Sequence, residues 1–187
     1  KSVSNMLNLL KVENTISNDE KIIESSSHLI LPGVGSYSAA VKNLKKSISI
    51  DFLNEVVLVK KKPILGICVG MQIMTNVGYE FGEHNGLGWL NGICKKIPTN
   101  APLPHIGWNE VVFLSETKET KNLNGDYYFV NSYCVQLENT KFDFAKTDYE
   151  KEFLSVFKKE NILGCQFHPE KSQLKGVLFM KYFLNNI

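Results

Sequence analysis

The four cysteines of this chain, at 68, 94, 134 and 165, include no Cys-x-x-Cys pair, which removes the zinc ribbon and the dense disulfide framework from consideration. No apolar stretch approaches the length needed to cross a bilayer, and the first residues lack the basic-then-apolar layout of a secretory signal, so a cytoplasmic protein is expected. An excess of one charge is missing too. The formal net charge is +2 and the lysines are dispersed, with short clusters only at 60–62 and 158–159, which argues against a nucleic-acid-binding surface. There is no internal repeat, low-complexity tract or linker. A length of 187 residues suffices for one well-buried core and falls short of two, so residues 1–187 are expected to form a single domain. Apolar residues at 43% and charged residues at 21% are those of an ordinary folded protein, not a disordered one.

The first half of the chain alternates helical and strand-like segments. Val3, Met6, Leu7 and Leu10 recur at three- and four-residue spacing, which predicts a helix over 2–10. Residues 28–31 form a short apolar run before Pro32-Gly33, and 63–67 form a second, so both read as buried strands, with helices over 37–44 and 51–59 between them. Such alternation predicts an α/β fold of flavodoxin-like type, a mostly parallel sheet with helices on both faces and functional groups at the carboxyl ends of its strands. Beyond Gly86 the pattern changes to strands separated by turns, over 107–113, 127–135, 142–147, 153–158 and 162–167, which predicts an antiparallel section. A last helix over 173–184 is expected to turn Leu174, Val177, Leu178 and Phe183 inward. The chain opens in a helix where such domains usually open in a central strand, so a first strand is expected to precede Lys1.

Chemistry concentrates in three places. In Gly66-Ile67-Cys68-Val69-Gly70 a cysteine ends an apolar strand and begins a helical segment, flanked at two residues on each side by glycine. This is the layout of a nucleophile elbow, where a tight turn crowds any Cβ and the helix amides favour a thiolate. The Val69 amide then points toward an oxyanion. A buried structural cysteine at a tight turn fits the same five residues. In Phe167-His168-Pro169-Glu170 a histidine follows another strand and has a carboxylate two residues on, near enough to hold the imidazole and steady its charge. His-x-Glu also occurs in metal sites, but His28, His84 and His105 are isolated in sequence, so neither a metal nor a cofactor is expected. In Leu31-Pro32-Gly33-Val34-Gly35-Ser36 a glycine-bearing loop leaves the first strand for a helix and can turn the Val34 amide to the same oxyanion. The competing dinucleotide fingerprint lacks its acidic residue. Cys94, Cys134 and Cys165 sit among strand-like apolar residues and read as small buried hydrophobes.

These runs, with Gly86-Leu87-Gly88-Trp89, Pro104-His105-Ile106-Gly107-Trp108-Asn109-Glu110, Tyr127-Tyr128-Phe129-Val130 and Gln166-Phe167-His168-Pro169-Glu170-Lys171-Ser172, stand in the order of the class I glutamine amidotransferases, which the chain resembles over nearly its whole length. Within the family it is similar to the glutaminase subunit of imidazole glycerol phosphate synthase. The resemblance implies a Cys68, His168, Glu170 triad that hydrolyses glutamine to glutamate and ammonia. It implies that Gly33, Gly35, Gln72, Asn131, Ser132 and Tyr133 surround the substrate, with Asn131 where a histidine is common. It further implies a heterodimer with a (β/α)8-barrel cyclase that takes the ammonia in histidine biosynthesis, with Trp108, Asn109, Tyr128 and Lys171 toward that partner. Related glutaminases serve amidino-sugar biosynthesis, and a free-standing γ-glutamyl hydrolase or an inactive scaffold shares parts of the pattern. A strand and a Gly-Asn turn are implied ahead of Lys1.

Overall fold

A computed structural model describes residues 1–115 and 117–187. In chain order the elements are α1 (Ser2–Leu9), α2 (Glu20–Ser25), β1 (Leu29–Gly33), α3 (Tyr37–Ser47), α4 (Ile50–Asn54, continued by a π turn over Glu55–Val59), β2 (Ile64–Cys68), α5 (Val69–Gln72), β3 (Thr75–Gly78), β4 (His84–Asn85), β5 (Leu90–Lys96) and β6 (His105–Phe113). They continue as α6 (Lys118–Lys121), β7 (Gly125–Asn131), β8 (Tyr133–Leu137), β9 (Asp143–Tyr149), β10 (Lys151–Lys159), β11 (Ile162–Cys165) and α7 (Gln173–Asn186). Side-chain caps start several helices: Asp19, Ser36 and Ser49 accept from the amides of Lys21, Ala39 and Phe52, satisfying donors that have no partner within the helix.

The strands run in the order β1-β2-β11-β10-β8-β5-β3-β4, with β9 joining β10 to β6 and β6 to β7. The sheet is mixed and not mostly parallel. Parallel pairing is confined to β1 with β2, β2 with β11, and β3 with β5, and the remaining pairs are antiparallel. The reason is connection length. β9 and β10, and then β10 and β11, are joined by tight turns at Glu150 (φ 61°) and Glu160 (φ 51°), and such short links force these paired neighbours to run in opposite directions.

All five residues of β2 are buried, as expected of a parallel strand covered on both faces. Leu65 and Ile67 share one apolar cluster with Leu163, Cys165, Met6 and Leu7 of α1 and Phe179 and Phe183 of α7. Ile64 and Ile162 share a second with Leu53, Val57 and Met71. Two sequence expectations need correction. Pro32 and Gly33 do not stop β1, which runs through them; β1 ends the sheet, so the missing proline N–H removes no ladder bond. Leu174 is 69% exposed, and the inner stripe of α7 is Gly176, Phe179, Met180 and Phe183. Among the described residues no helix is long and apolar enough to cross a membrane.

Candidate active site

Register brings the three motifs to one sheet edge. Gly33 pairs with Cys68 and Cys165 pairs with Ile67, so the strands carrying the loop, the thiol and the histidine end side by side. Cys68 has φ 54° and ψ −115°, a conformation that costs a non-glycine residue about 1–3 kcal/mol and is typical of a residue held for function. The flanking glycines are sterically required: a Cβ on Gly66 would lie 2.8 Å from the Met71 backbone, and one on Gly70 only 1.8 Å from the Leu31 carbonyl oxygen. Gly33 is wedged in the same contact, its Cβ position 2.4 Å from the Gly70 nitrogen.

His168 is buried and its Nδ1 lies 2.9 Å from Glu170 Oε1, which leaves Nε2 for the thiol. Burial opposes a charge on the ring, but hydrogen bonds with Cys68 and Glu170 outweigh it and raise the His168 pKa from 6.5 to about 9. Burial works against ionised Glu170 as well, and its bond to His168 more than offsets this, holding the carboxyl below its ordinary value. The other thiols are silent: desolvation pushes Cys134 up to about 12 and Cys94 and Cys165 higher still. A thiol, an imidazole whose proton is held more tightly than usual and a carboxylate bonded to it are therefore in contact.

Around them, the side-chain nitrogens of Gln72 and Asn131 both donate to the Tyr133 carbonyl, at 3.0 and 3.1 Å, and Asn131 Oδ1 is buried without a partner. Ser132 is half-buried between β7 and β8, and its carbonyl accepts from Ile97 at 2.9 Å. Val69 opens α5 directly after the thiol. Val34 projects into solvent at the tip of the β1–α3 loop, and Gly35 beside it has φ +89°.

Residues 2–184 match the glutamine amidotransferase class-I family. The chain belongs to the class I glutamine amidotransferases. It is 42% identical over 187 residues, covering 98% of this chain and 92% of the relative, to imidazole glycerol phosphate synthase subunit HisH 2 of Methanococcus maripaludis. It is 40% identical over 173 residues, covering 91% of this chain and 83% of the relative, to imidazole glycerol phosphate synthase subunit HisH of Aquifex aeolicus. A crystal structure of a glutamine amidotransferase superposes with a TM-score of 0.74 at 15% identity, covering 98% of this chain and 90% of the other. The PurLQS structure from Thermotoga maritima gives the same score and identity, covering 98% and 91%.

In this amidotransferase the four residues assigned to the partner side do not all lie together. Trp108 and Tyr128 are paired across β6 and β7, their rings 5.9 Å apart, and Lys171 Nζ sits 5.5 Å over the Tyr128 ring. Asn109, the next residue of β6, projects from the opposite face, as strand alternation demands, and its side chain is tied to the Asp148 carbonyl at 2.8 Å. Ser172, which stands in the histidine run without an assigned role, and Glu80, which the sequence did not single out, fasten distant segments of the amidotransferase together. Ser172 Oγ donates to the His168 carbonyl at 2.6 Å and accepts from the Tyr128 amide at 3.0 Å, fastening the histidine turn to β7. Glu80 accepts from the Tyr37 amide at 2.7 Å, fastening the loop after β3 to the start of α3. Both bonds join segments more than forty residues apart, at separations of 44 and 43, and no local pattern marks them.

The ionisation of the pair has a stability consequence. His168 is raised, so its contribution is complete below the unfolded value of 6.5 and is lost as pH climbs through about 9. Glu170 is lowered, so its contribution is present above 4.5 and is lost as pH falls through its folded value. The melting temperature of the amidotransferase is expected to decline as pH rises from 6.5 toward 9, and His168→Gln to flatten that decline; differential scanning fluorimetry across the range checks it.

Proposed function

We propose that this chain is a glutaminase that hydrolyses L-glutamine through Cys68 and supplies the ammonia to a (β/α)8-barrel cyclase, as the glutaminase subunit of imidazole glycerol phosphate synthase in histidine biosynthesis. The contact of Cys68, His168 and Glu170 at one sheet edge carries the reading. The names of the 40–42% identical relatives support the acceptor. A cytoplasmic location belongs to the same reading.

The Cys68 thiolate adds to the side-chain amide carbon of glutamine, and the negative oxygen that develops accepts from the Val69 amide and from the Val34 amide across the loop. His168, protonated and steadied by Glu170, gives its proton to the departing nitrogen. The carbon–nitrogen bond breaks, ammonia leaves and a thioester remains. His168, now neutral, takes a proton from water, whose oxygen attacks the thioester, and collapse releases glutamate and restores the thiolate. Gln72, the buried Asn131 oxygen and the backbone at Gly33, Gly35, Ser132 and Tyr133 line the pocket that orients the substrate.

On the partner side, Trp108, Tyr128 and Lys171 form a patch in which an aromatic pair lies half open to solvent under a lysine, with Trp108 48% exposed. Asn109 contributes by shaping β6 through Asp148. The open edge of β1 suits a further parallel strand ahead of Lys1, along a groove of about 260 Å³ lined by Ile22, His28, Leu29, Leu31 and Ile48.

The test is glutamate release by the chain alone and with the cyclase carrying its phosphorylated ligand. Turnover is expected to rise on complex formation. A cyclase that runs on ammonium salts but draws nothing from glutamine in the presence of this chain would overturn the assignment of the acceptor.

A further inference from the structure

Gln166, two residues before the proposed base, is completely buried, and both ends of its side-chain amide are engaged inside the site. Its Oε1 accepts from Gln72 Nε2 at 2.9 Å, and its Nε2 lies 3.7 Å from Cys68 Sγ, a hydrogen-bond length for the larger sulfur atom. The orientation of each amide follows from the one before it. The Tyr133 carbonyl is able only to accept, so the Gln72 atom facing it at 3.0 Å is nitrogen. That nitrogen's second hydrogen faces Gln166, so the Gln166 atom meeting it is oxygen, and the atom left to face the thiol is nitrogen. The reverse flip would put an oxygen lone pair against the sulfur.

We propose that Gln166 donates a hydrogen bond to the Cys68 thiolate, and that the Tyr133 carbonyl, acting through Gln72, locks the Gln166 amide in the donating orientation. This rests on Cys68 being the nucleophile. A buried donor favours the charged form of its acceptor, and a hydrogen bond to an ion is stronger than one between neutral groups. The donor also opposes the Val130 carbonyl oxygen, which lies 4.0 Å from the same sulfur and would favour the protonated thiol. Gln72 Nε2 thus bridges the Tyr133 carbonyl and Gln166 Oε1. The two glutamines come from α5 and from the end of β11, 94 residues apart, and meet because β2 and β11 are adjacent.

The measurement is the rate of iodoacetamide alkylation of Cys68 as a function of pH, on the full-length protein, with the site of modification read by peptide mass. Gln166→Met keeps the volume and removes the donor. It is expected to alkylate about tenfold more slowly at neutral pH and to converge on the wild-type rate where the thiol is fully ionised. Gln166→Glu keeps both size and the bond from Gln72 but sets a negative oxygen against the sulfur, so its rate is expected to fall further. It also carries the test should the methionine variant not fold. Profiles for folded variants that superimpose on the wild type would reduce Gln166 to packing and overturn the proposal. Cys68→Ala separates the two readings: if labelling at the wild-type rate persists in that variant, the reactive thiol lies elsewhere and the nucleophile assignment itself fails.

Discussion

Cys68→Ser is expected to abolish glutamine hydrolysis, lowering the rate by about four orders of magnitude or more, while leaving the fold intact. A serine hydroxyl is hardly ionised near neutral pH, so His168 would have to remove its proton in the act of attack. On the proposed reading His168 has the opposite task, and its raised pKa of about 9 suits it to hold a proton for the leaving nitrogen. Oxygen fits where sulfur was, and serine carries the same Cβ, so the φ of 54° is no more strained in the variant than in the parent. The checks are glutamate release under saturating glutamine and labelling by a glutamine-analogue electrophile. Labelling is expected once per parent chain and not at all in the variant, because Cys94, Cys134 and Cys165 are buried and protonated. A variant that keeps even a hundredth of the parental rate would contradict nucleophilic attack by this residue.

Gly70→Ala is expected to be among the most damaging additions of one methyl at a glycine. The added carbon would sit 1.8 Å from the Leu31 carbonyl oxygen and 2.9 Å from its carbonyl carbon, both backbone atoms of β1 that no rotamer change moves aside. Relief requires β1 and α5 to separate, which opens the contact between Gly33 and Gly70 and draws the loop and thiol apart. A cost of about 3 kcal/mol or more is expected, at the upper end of overpacking effects, or a fall in melting temperature of about 6–12 °C for a chain of this size. Gly35→Ala is the control. Nothing lies within 4 Å of its Cβ position, so only the φ of +89° resists the change, worth about 1–2 kcal/mol. Comparable melting temperatures for the two variants would contradict the steric account.

The elbow, the histidine turn and the loop were legible in the sequence because each is local: a short apolar run, glycines at fixed offsets, a proline that blocks the ladder. Their convergence was legible only by analogy, since the pairing of Cys165 with Ile67 and of Gly33 with Cys68 is a property of the sheet. Counting apolar residues placed Phe183, Val177 and Leu178 against the core and misplaced Leu174, while leaving out Gly176. Gly176 faces inward because its Cβ position lies 1.9 Å from the Pro169 carbonyl, a constraint that hydrophobicity does not register. The strands β3 and β4 are four and two residues long, too short to show a period, and residues 127–135 read as one run although Ser132 breaks it into β7 and β8. Asn109 was grouped with Trp108 on the resemblance alone, and because successive strand residues face opposite ways the two side chains do not share a face.

The crowding at Gly33 and the emptiness at Gly35 divide the loop mechanically. Gly33 is clamped between the Gly70 nitrogen and Val69, so the base of the loop moves only if α5 moves with it. One peptide farther on there is no obstacle, and a residue without a side chain occupies a region open to either sign of φ. Rotation of the Val34–Gly35 peptide is therefore hinged on its far side alone, a small swivelling gate on a fixed post. Such a rotation would turn the Gly35 N–H and the Val34 carbonyl, while the Val34 N–H, part of the Gly33–Val34 peptide, stays with the clamped base of the loop.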